Sequence, residues 1–154
     1  MAWLEASAFA EWIRTSAVGY PVAITLHSIG MSIMVGLVFV VSLRLVGFFE
    51  RMPFASLERM LALAGAGFII NFLSGAAIFT SQATFYVANG PFLLKFAAVL
   101  TGALLAGYIR PILRREAGGW ADSASVPGMI RGLAIVSIAL WCVAITTGRF
   151  TAYL

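Results

Sequence analysis

The chain has 154 residues, of which 62% are hydrophobic and 10% are charged, and its formal net charge is +4. This composition, with a mean hydropathy of +1.00, excludes a soluble globular protein and predicts an integral membrane protein embedded in a lipid bilayer. The basic balance does not indicate a nucleic-acid partner, because bases that flank membrane spans produce the same excess.

The first segment, residues 1–16, predicts an amphipathic helix that lies flat at the membrane interface. Its charged residues Glu5, Glu11 and Arg14 are kept apart from an apolar side of the helix. That side holds Trp3, Leu4, Phe9, Trp12 and Ile13. Tryptophans at such a face are expected at headgroup depth.

Four further segments are long and apolar enough to cross a bilayer, because ~20 residues at ~1.5 Å each span its ~30 Å hydrocarbon core. They are predicted at about 21–45, 60–80, 91–113 and 128–148. Pro21, Pro91 and Pro127 lie at or just before the first turn of three of them, where a missing amide proton is harmless. The chain is therefore predicted to be all-α: a single membrane domain over 1–154, built as a four-transmembrane-helix antiparallel bundle.

The orientation follows from the distribution of bases. Seven flank the first and third connections, namely Arg44, Arg51, Arg59, Arg110, Arg114, Arg115 and Arg131. Three lie at the opposite end, namely Arg14, Lys95 and Arg149. Because bases favour the cytoplasmic side, we expect both termini outside, which is the periplasm for a bacterial inner membrane.

Small residues recur four apart along the spans, a spacing that lets helices approach closely. The sets are Ser28, Ser32 and Gly36; Gly67, Asn71 and Gly75; Gly102 and Ala106; and Gly128 and Gly132. The pattern predicts packing seams within the bundle or against another protomer or partner subunit.

Several polar residues are predicted to gather in the outer half of the bundle. His27, the single histidine, lies roughly 9 Å below the interface, and Lys95 lies ~6 Å deep. Asn71, Ser74, Trp141 and Arg149 come from the second and fourth spans. None of the six acids falls within a span, which disfavours a carboxylate proton relay or a cation pathway. Lys95 and Arg149 are instead suited to an anionic or carbonyl-bearing guest.

Three interpretations of His27 stay open. It can bridge helices by hydrogen bonding to Ser, Thr or Asn. It can be an axial ligand of b-type haem, with Gly30 leaving room for the macrocycle and Met31 continuing an apolar wall. It can also contact a quinone or another small molecule. Because the chain has one histidine, the second haem ligand is a methionine, a residue of a symmetry-related protomer, a side chain of a partner, or absent.

Two stretches resemble a known group of proteins: "YPVAITLHSIG…GLVFVVSLRLVGF" and "INFLSGAAIF…YVANGPFLLK". They are similar to an uncharacterised family of small bacterial four-span inner-membrane proteins, a domain of unknown function, over nearly the whole chain. The matching residues are His27, Gly30, Gly36, Leu43, Arg44, Leu45, Asn71, Ser74, Gly75, Asn89 and Lys95. More distantly, the chain resembles four-helix cytochrome-b and copper-resistance membrane modules. Those modules place several histidines on different spans, and only His27 corresponds here.

The sequence therefore predicts a small redox-associated subunit, not an independent enzyme. It is expected to bind haem b or a quinone through His27 and to relay electrons to a partner, as a homo-oligomer or within a larger complex. One alternative is a non-catalytic accessory or scaffold subunit without a cofactor. Another is a channel or transporter for small solutes or anions.

Overall fold

The protein is described by a computed structural model that covers residues 1–120, 122–151 and 153. Seven α-helices follow one another, and these described residues contain no β-strand. The helices are α1 Ala2–Glu5, α2 Ala8–Thr15, α3 Gly19–Val46, α4 Leu57–Ser81, α5 Ala83–Ala88, α6 Gly90–Glu116 and α7 Gly128–Phe150. Helices α3, α4, α6 and α7 are long and apolar enough to cross a membrane. The predicted all-α, four-span fold is confirmed, with span bounds close to those expected.

Local chemistry accounts for where the long helices begin. The side chain of Asn89 caps α6 by accepting a 2.9 Å hydrogen bond from the Phe92 amide, and Pro91 follows in the first turn. Pro127 stands directly before α7. A short 3-10 turn, Phe54–Ser56, leads into α4.

The connection between α3 and α4 is held by a buried arginine. Arg44 is 3% exposed, and its Nε donates a 2.8 Å hydrogen bond to the Met52 carbonyl. Its guanidinium lies 3.8 Å from the centroid of the Phe54 ring, within cation–π distance. Gly47 ends α3 with a φ of 121°, a conformation that favours glycine. The Arg44 guanidinium thus stabilises the connection between α3 and α4.

The four long helices form a ring in the order α3, α4, α6 and α7, and α7 returns to α3. Helix α3 packs most extensively on α4, whereas α4 and α6 touch sparingly. The closest approach of α3 and α4 is at Gly30 and Gly67. A Cβ on Gly30 would lie 2.5 Å from the Asn71 amide nitrogen, and one on Gly67 would lie 2.8 Å from the Met34 nitrogen.

The small-residue seams divide into packed and open ones. Gly67 and Asn71 are buried against α3, and Gly102 receives the Trp141 ring. A Cβ on Gly36, Gly128 or Gly132 would have no heavy atom within 4 Å. Ser28 and Ser32 are exposed, and each donates to a carbonyl of its own helix. These open positions are not seams within this bundle, because they lie on outward-facing sides of α3 and α7.

The N-terminal segment is two helices, not the single one predicted. Ser7 separates them: its hydroxyl donates to the Leu4 carbonyl and accepts from the Ala10 amide, which caps α2. Ile13 is buried against the bundle, whereas Trp3, Phe9 and Trp12 are more than half exposed. One part of the predicted apolar face therefore packs on the bundle, and the rest is exposed.

Candidate functional site

A cavity of about 370 Å³ lies between α4 and α6, with α3 behind it. Its size falls within the ~300–1,000 Å³ range of small-molecule sites, and its wall is overwhelmingly apolar. The polar residues at its surface are His27, Asn71 and Lys95. The remaining lining residues are apolar: Phe68, Phe72, Gly75, Ala76, Phe79, Val87, Phe92, Leu93, Phe96, Val99 and Leu100.

His27 is fixed to α4 by a reciprocal pair of hydrogen bonds. Its Nδ1 lies 2.9 Å from the Asn71 carbonyl oxygen, and the Asn71 amide Nδ2 donates to the His27 carbonyl at 2.8 Å. A carbonyl only accepts, so Nδ1 must carry a proton. In the neutral ring, Nε2 then offers a lone pair, and it forms no hydrogen bond with any described residue. The same arrangement orients histidines that bind ligands in other proteins.

Ser74 and Gly75 of α4 also lie against the His27 imidazole. Ser74 Oγ lies 3.4 Å from His27 Nδ1 and donates to the Ile70 carbonyl at 2.6 Å. A Cβ on Gly75 would lie 2.9 Å from His27 Cε1, so only glycine leaves room for the ring. The sequence predicted that Gly75 packs against another helix. The residue that it contacts there is His27.

Lys95 reaches the same cavity from α6. Its stem packs against Gly148 of α7, since a Cβ there would lie 3.3 Å from Cδ and 3.5 Å from Nζ. Within the described part of the chain, Lys95 makes no salt bridge or hydrogen bond. The ion pairs that are present, Arg14 with Glu11 and Arg110 with Glu58, involve other residues. Lys95 is thus a cation on a largely apolar wall without an anionic partner among those residues.

A smaller cavity adjoins the first and extends toward α7. Met31, Met34 and Trp141 line it, together with His27, Asn71 and Lys95 of the larger cavity. Trp141 is 1% exposed and lies against Gly102, where a Cβ would be 3.2 Å from its Nε1. That buried indole nitrogen has no acceptor among the described residues. Trp141 and Met31 therefore lie behind the site and do not form its main wall.

Three predicted residues line neither cavity: Ser74, which lies 3.4 Å from His27 Nδ1, Gly30 and Arg149. Gly30 was expected to leave room for a macrocycle, but the backbone of α4 at Gly67 and Asn71 fills that space. Arg149 is exposed and lines neither cavity. The physical reason is helical geometry: Gly148 faces Lys95, and the next residue points about 100° away. The structure brings together His27, Asn71, Ser74 and Lys95 from three helices.

Sequence reasoning missed the phenylalanine wall. Phe68 and Phe72 stack at 5.9 Å between ring centroids, and Phe92 and Phe96 stack at 6.3 Å. Phe79 stacks on Phe92 at 5.8 Å. The four-residue spacing of Phe68 with Phe72 and of Phe92 with Phe96 was the available signal, because such residues share a helix face.

An aromatic group closes the end of the cavity nearest α5. Tyr86 lies 4.8 Å from Phe92 and 5.9 Å from Phe79, centroid to centroid. Burial raises the pKa of the Tyr86 phenol, and Tyr20 adds to the shift, so the hydroxyl stays neutral. The three rings form a continuous apolar cap.

The residues that line the larger cavity do not supply both axial ligands of a low-spin haem. His27 Nε2 is available as one axial ligand, but no other lining residue of the larger cavity is a His, Met, Cys or Tyr. Met31 and Met34 line only the smaller cavity. Among the described residues no group of three His, Cys, Asp or Glu side chains gathers to hold a metal ion. A haem at His27 would therefore need its second ligand from outside the larger cavity.

No protein-family model, curated protein or solved structure matches this chain. The geometry of the cavity is accordingly the basis for a functional assignment.

Proposed function

We propose that this protein is a small redox-associated subunit that binds a quinone in the cavity between α4 and α6. The observation that carries the proposal is the meeting of His27 and Lys95 in one largely apolar cavity walled by stacked phenylalanine rings. Flat conjugated rings stack on such walls, and isolated polar groups at the base give orientation.

The two polar groups have complementary roles toward a quinone and its reduced form. The Lys95 ammonium donates to a carbonyl oxygen, a charge-assisted hydrogen bond. His27 Nε2 accepts from a quinol hydroxyl, because Nδ1–H already donates to Asn71. Oxidation of a quinol to a quinone breaks two O–H bonds and releases two protons and two electrons; His27 Nε2 takes one proton, and the second is released to water.

The electrons need an acceptor. The role therefore requires a partner subunit whose redox centre, such as a haem or an iron–sulfur cluster, accepts the two electrons one after the other and passes each of them on. We propose that the protein acts as a homo-oligomer or as part of a larger membrane complex of this kind.

Quinone binding is tested with a two-isoprene benzoquinone in lipid nanodiscs, followed by quenching of tryptophan fluorescence. Lys95→Met is expected to raise the Kd roughly tenfold or more, because a hydrogen bond from a charged group contributes about 1.5–3 kcal/mol. Arg149→Met is the matched control, since Arg149 lies near the same end of the bundle but lines neither cavity. Equal affinities in all three proteins would overturn the proposal.

Haem b is the second candidate, favoured by the Nδ1–H to carbonyl bond that leaves His27 Nε2 free. An absorption spectrum of the purified protein, with and without added haem, separates the two. A Soret band that disappears in folded His27→Ala would assign His27 as the ligand in place of quinone binding.

The other candidates make different predictions. A channel requires a polar path, whereas the opposite half of the bundle is packed by apolar residues such as Leu45, Leu57, Leu113 and Ile130. Anion or solute flux in liposomes is therefore expected to be absent. A purely structural accessory subunit predicts that the cavity takes no quinone.

We further propose a bacterial inner-membrane location with both termini in the periplasm. The first and third connections lie at one end of the bundle, where the 3-10 turn Phe54–Ser56 contacts the turn Ala117–Gly119. The seven bases predicted to mark the cytoplasmic side gather at this end. The cavity then lies in the periplasmic half.

A further inference from the structure

The larger cavity opens on the flank of the bundle, between α4 and α6. These two neighbouring helices make few contacts with each other. Phe72, Leu93 and Phe96 line the cavity and yet are 48%, 50% and 46% exposed, so they form the lips of an opening. In a membrane, a flank of apolar helices faces acyl chains.

The other route, from the end of the bundle nearest α5, passes a cluster of aromatic rings. The rings of Phe79, Tyr86 and Phe92 contact one another pairwise at 4.8–5.9 Å across that end. Val87 of α5 lies beside them in the cavity wall. A ligand dissolved in water would have to displace this cap, whereas a ligand dissolved in lipid meets an open apolar slot.

The cavity is also longer than a ring requires. Its wall runs from Phe68 to Phe79 along α4, which is roughly 16 Å at ~1.5 Å per residue. The polar lining residues His27, Asn71 and Lys95 lie on the side shared with the smaller cavity, and the residues at the opening, Phe72, Leu93 and Phe96, are apolar. A molecule with one polar ring and a long hydrocarbon tail matches this division.

We propose that the ligand enters laterally from the bilayer and is a prenyl-tailed quinone, whose ring sits at His27 and Lys95 and whose tail leaves between α4 and α6. This inference rests on the proposed function and adds the class of substrate and its route. Ala76, which is exposed and lines the cavity, stands in the path of the tail.

The route is tested first in the unmodified protein. A two-isoprene benzoquinone with a photoreactive diazirine on its second isoprene unit is incorporated into lipid nanodiscs, and the labelled residues are mapped by mass spectrometry. Labelling of Phe72, Leu93 or Phe96, suppressed by unlabelled quinone, is the expected result. Competable labelling of α5, or of the outward faces of α3 and α7, would overturn the lateral route.

A blocking variant provides the second test. Ala76→Phe fills the opening without touching His27 or Lys95, and it is expected to weaken binding of the two-isoprene quinone at least tenfold. Ala97→Phe is the matched control, because Ala97 is exposed on α6 and lines neither cavity. Unchanged affinity in Ala76→Phe would contradict the inference.

The two proposals fail in different ways. If quinone binding is retained and depends on Lys95, but labelling maps to α5 and Ala76→Phe has no effect, only lateral entry is wrong. If no competable labelling occurs and Lys95→Met changes nothing, the quinone function itself is wrong.

Discussion

At the residue scale, the central feature is how the polar groups of the bundle are shared between structure and site. His27 uses Nδ1 to join α3 to α4, and the residue lines the cavity. The helix-bridging and ligand-binding interpretations of this histidine are therefore compatible. Nδ1 is used by the helix contact, and Nε2 forms no hydrogen bond with the described residues.

Trp141 provides a residue-scale prediction about stability. Its buried Nε1–H lacks an acceptor among the described residues, and an unpaired buried donor costs about 1–3 kcal/mol. Trp141→Phe removes that cost while losing part of the ring, so the free energy of unfolding in detergent micelles is expected to change by less than about 1 kcal/mol. Trp141→Ala, which leaves a large cavity beside Gly102, is expected to cost roughly 3 kcal/mol or more. Equal losses in both variants would show that the N–H has a partner.

The sequence predicted part of the site for a clear physical reason. His27, Asn71, Ser74 and Lys95 are polar groups at membrane depth, and polar groups there turn toward other helices. The misplacement of Arg149 and the misinterpretation of Gly30 have another cause. Which way a residue near a helix end faces, and which small residue receives a neighbouring helix, depend on helix rotation, which spacing alone does not determine.

At the element scale, the crossing of α3 and α4 is the most tightly determined contact. Gly30 and Gly67 let the two backbones touch, so each residue is restricted by the partner helix and not by its own conformation.

Gly30→Ala tests this crossing. The added Cβ would lie 2.5 Å from the Asn71 nitrogen, so the helices must separate, and we expect a loss of about 1–3 kcal/mol in the free energy of unfolding. Gly36→Ala on the same helix meets nothing within 4 Å and is expected to be neutral or to stabilise by up to ~1 kcal/mol. If Gly30→Ala is as harmless as Gly36→Ala, the close crossing is incorrect.

The contact between α1 and α5 is predicted to depend on pH. Glu5 Oε1 accepts hydrogen bonds from the Thr84 amide at 2.7 Å and hydroxyl at 2.6 Å, and these bonds lower the pKa of Glu5, with smaller contributions from Arg14 and the amino terminus. Because the folded pKa is lowered, the contact contributes stability above the ordinary pKa of glutamate and loses it as the pH falls through the lowered value.

The measurement is the NMR shift of the Thr84 amide proton across the acidic range. It is expected to titrate with a midpoint below that of an unperturbed glutamate. In Glu5→Gln the amide shift should be independent of pH. A midpoint at or above the ordinary value would show that Glu5 and Thr84 are not bonded.

At the scale of the whole molecule, hydropathy and helix-start signals were sufficient for the fold. Three of the four long helices have a proline at or just before the first turn, as at Pro91 after the capping residue Asn89. The division of the N-terminal segment into two helices at Ser7 was not predicted, because a serine in an amphipathic pattern is equally compatible with an exposed helix position and with a helix cap. The gap between α4 and α6 was not predictable, since it depends on how tightly each pair of helices packs.

The proposed orientation is tested by reporter fusions at the C-terminus. Alkaline phosphatase, which folds only in the periplasm, is expected to be active there, and green fluorescent protein exported in the same position is expected to be dark. The physical reason is the excess of bases at the end that holds the first and third connections. The reverse pattern of reporter activity would invert the proposed topology.

The position of Lys95 also gives the molecule an intrinsic chemical handle. It is the only lysine in the chain, and its amine belongs to the cavity wall. Apart from an amino terminus, a membrane-permeant acylating reagent therefore has a single target amine in these 154 residues. A ligand bound beside that amine would change the rate at which it is acylated, so the rate would report ligand binding without an engineered label.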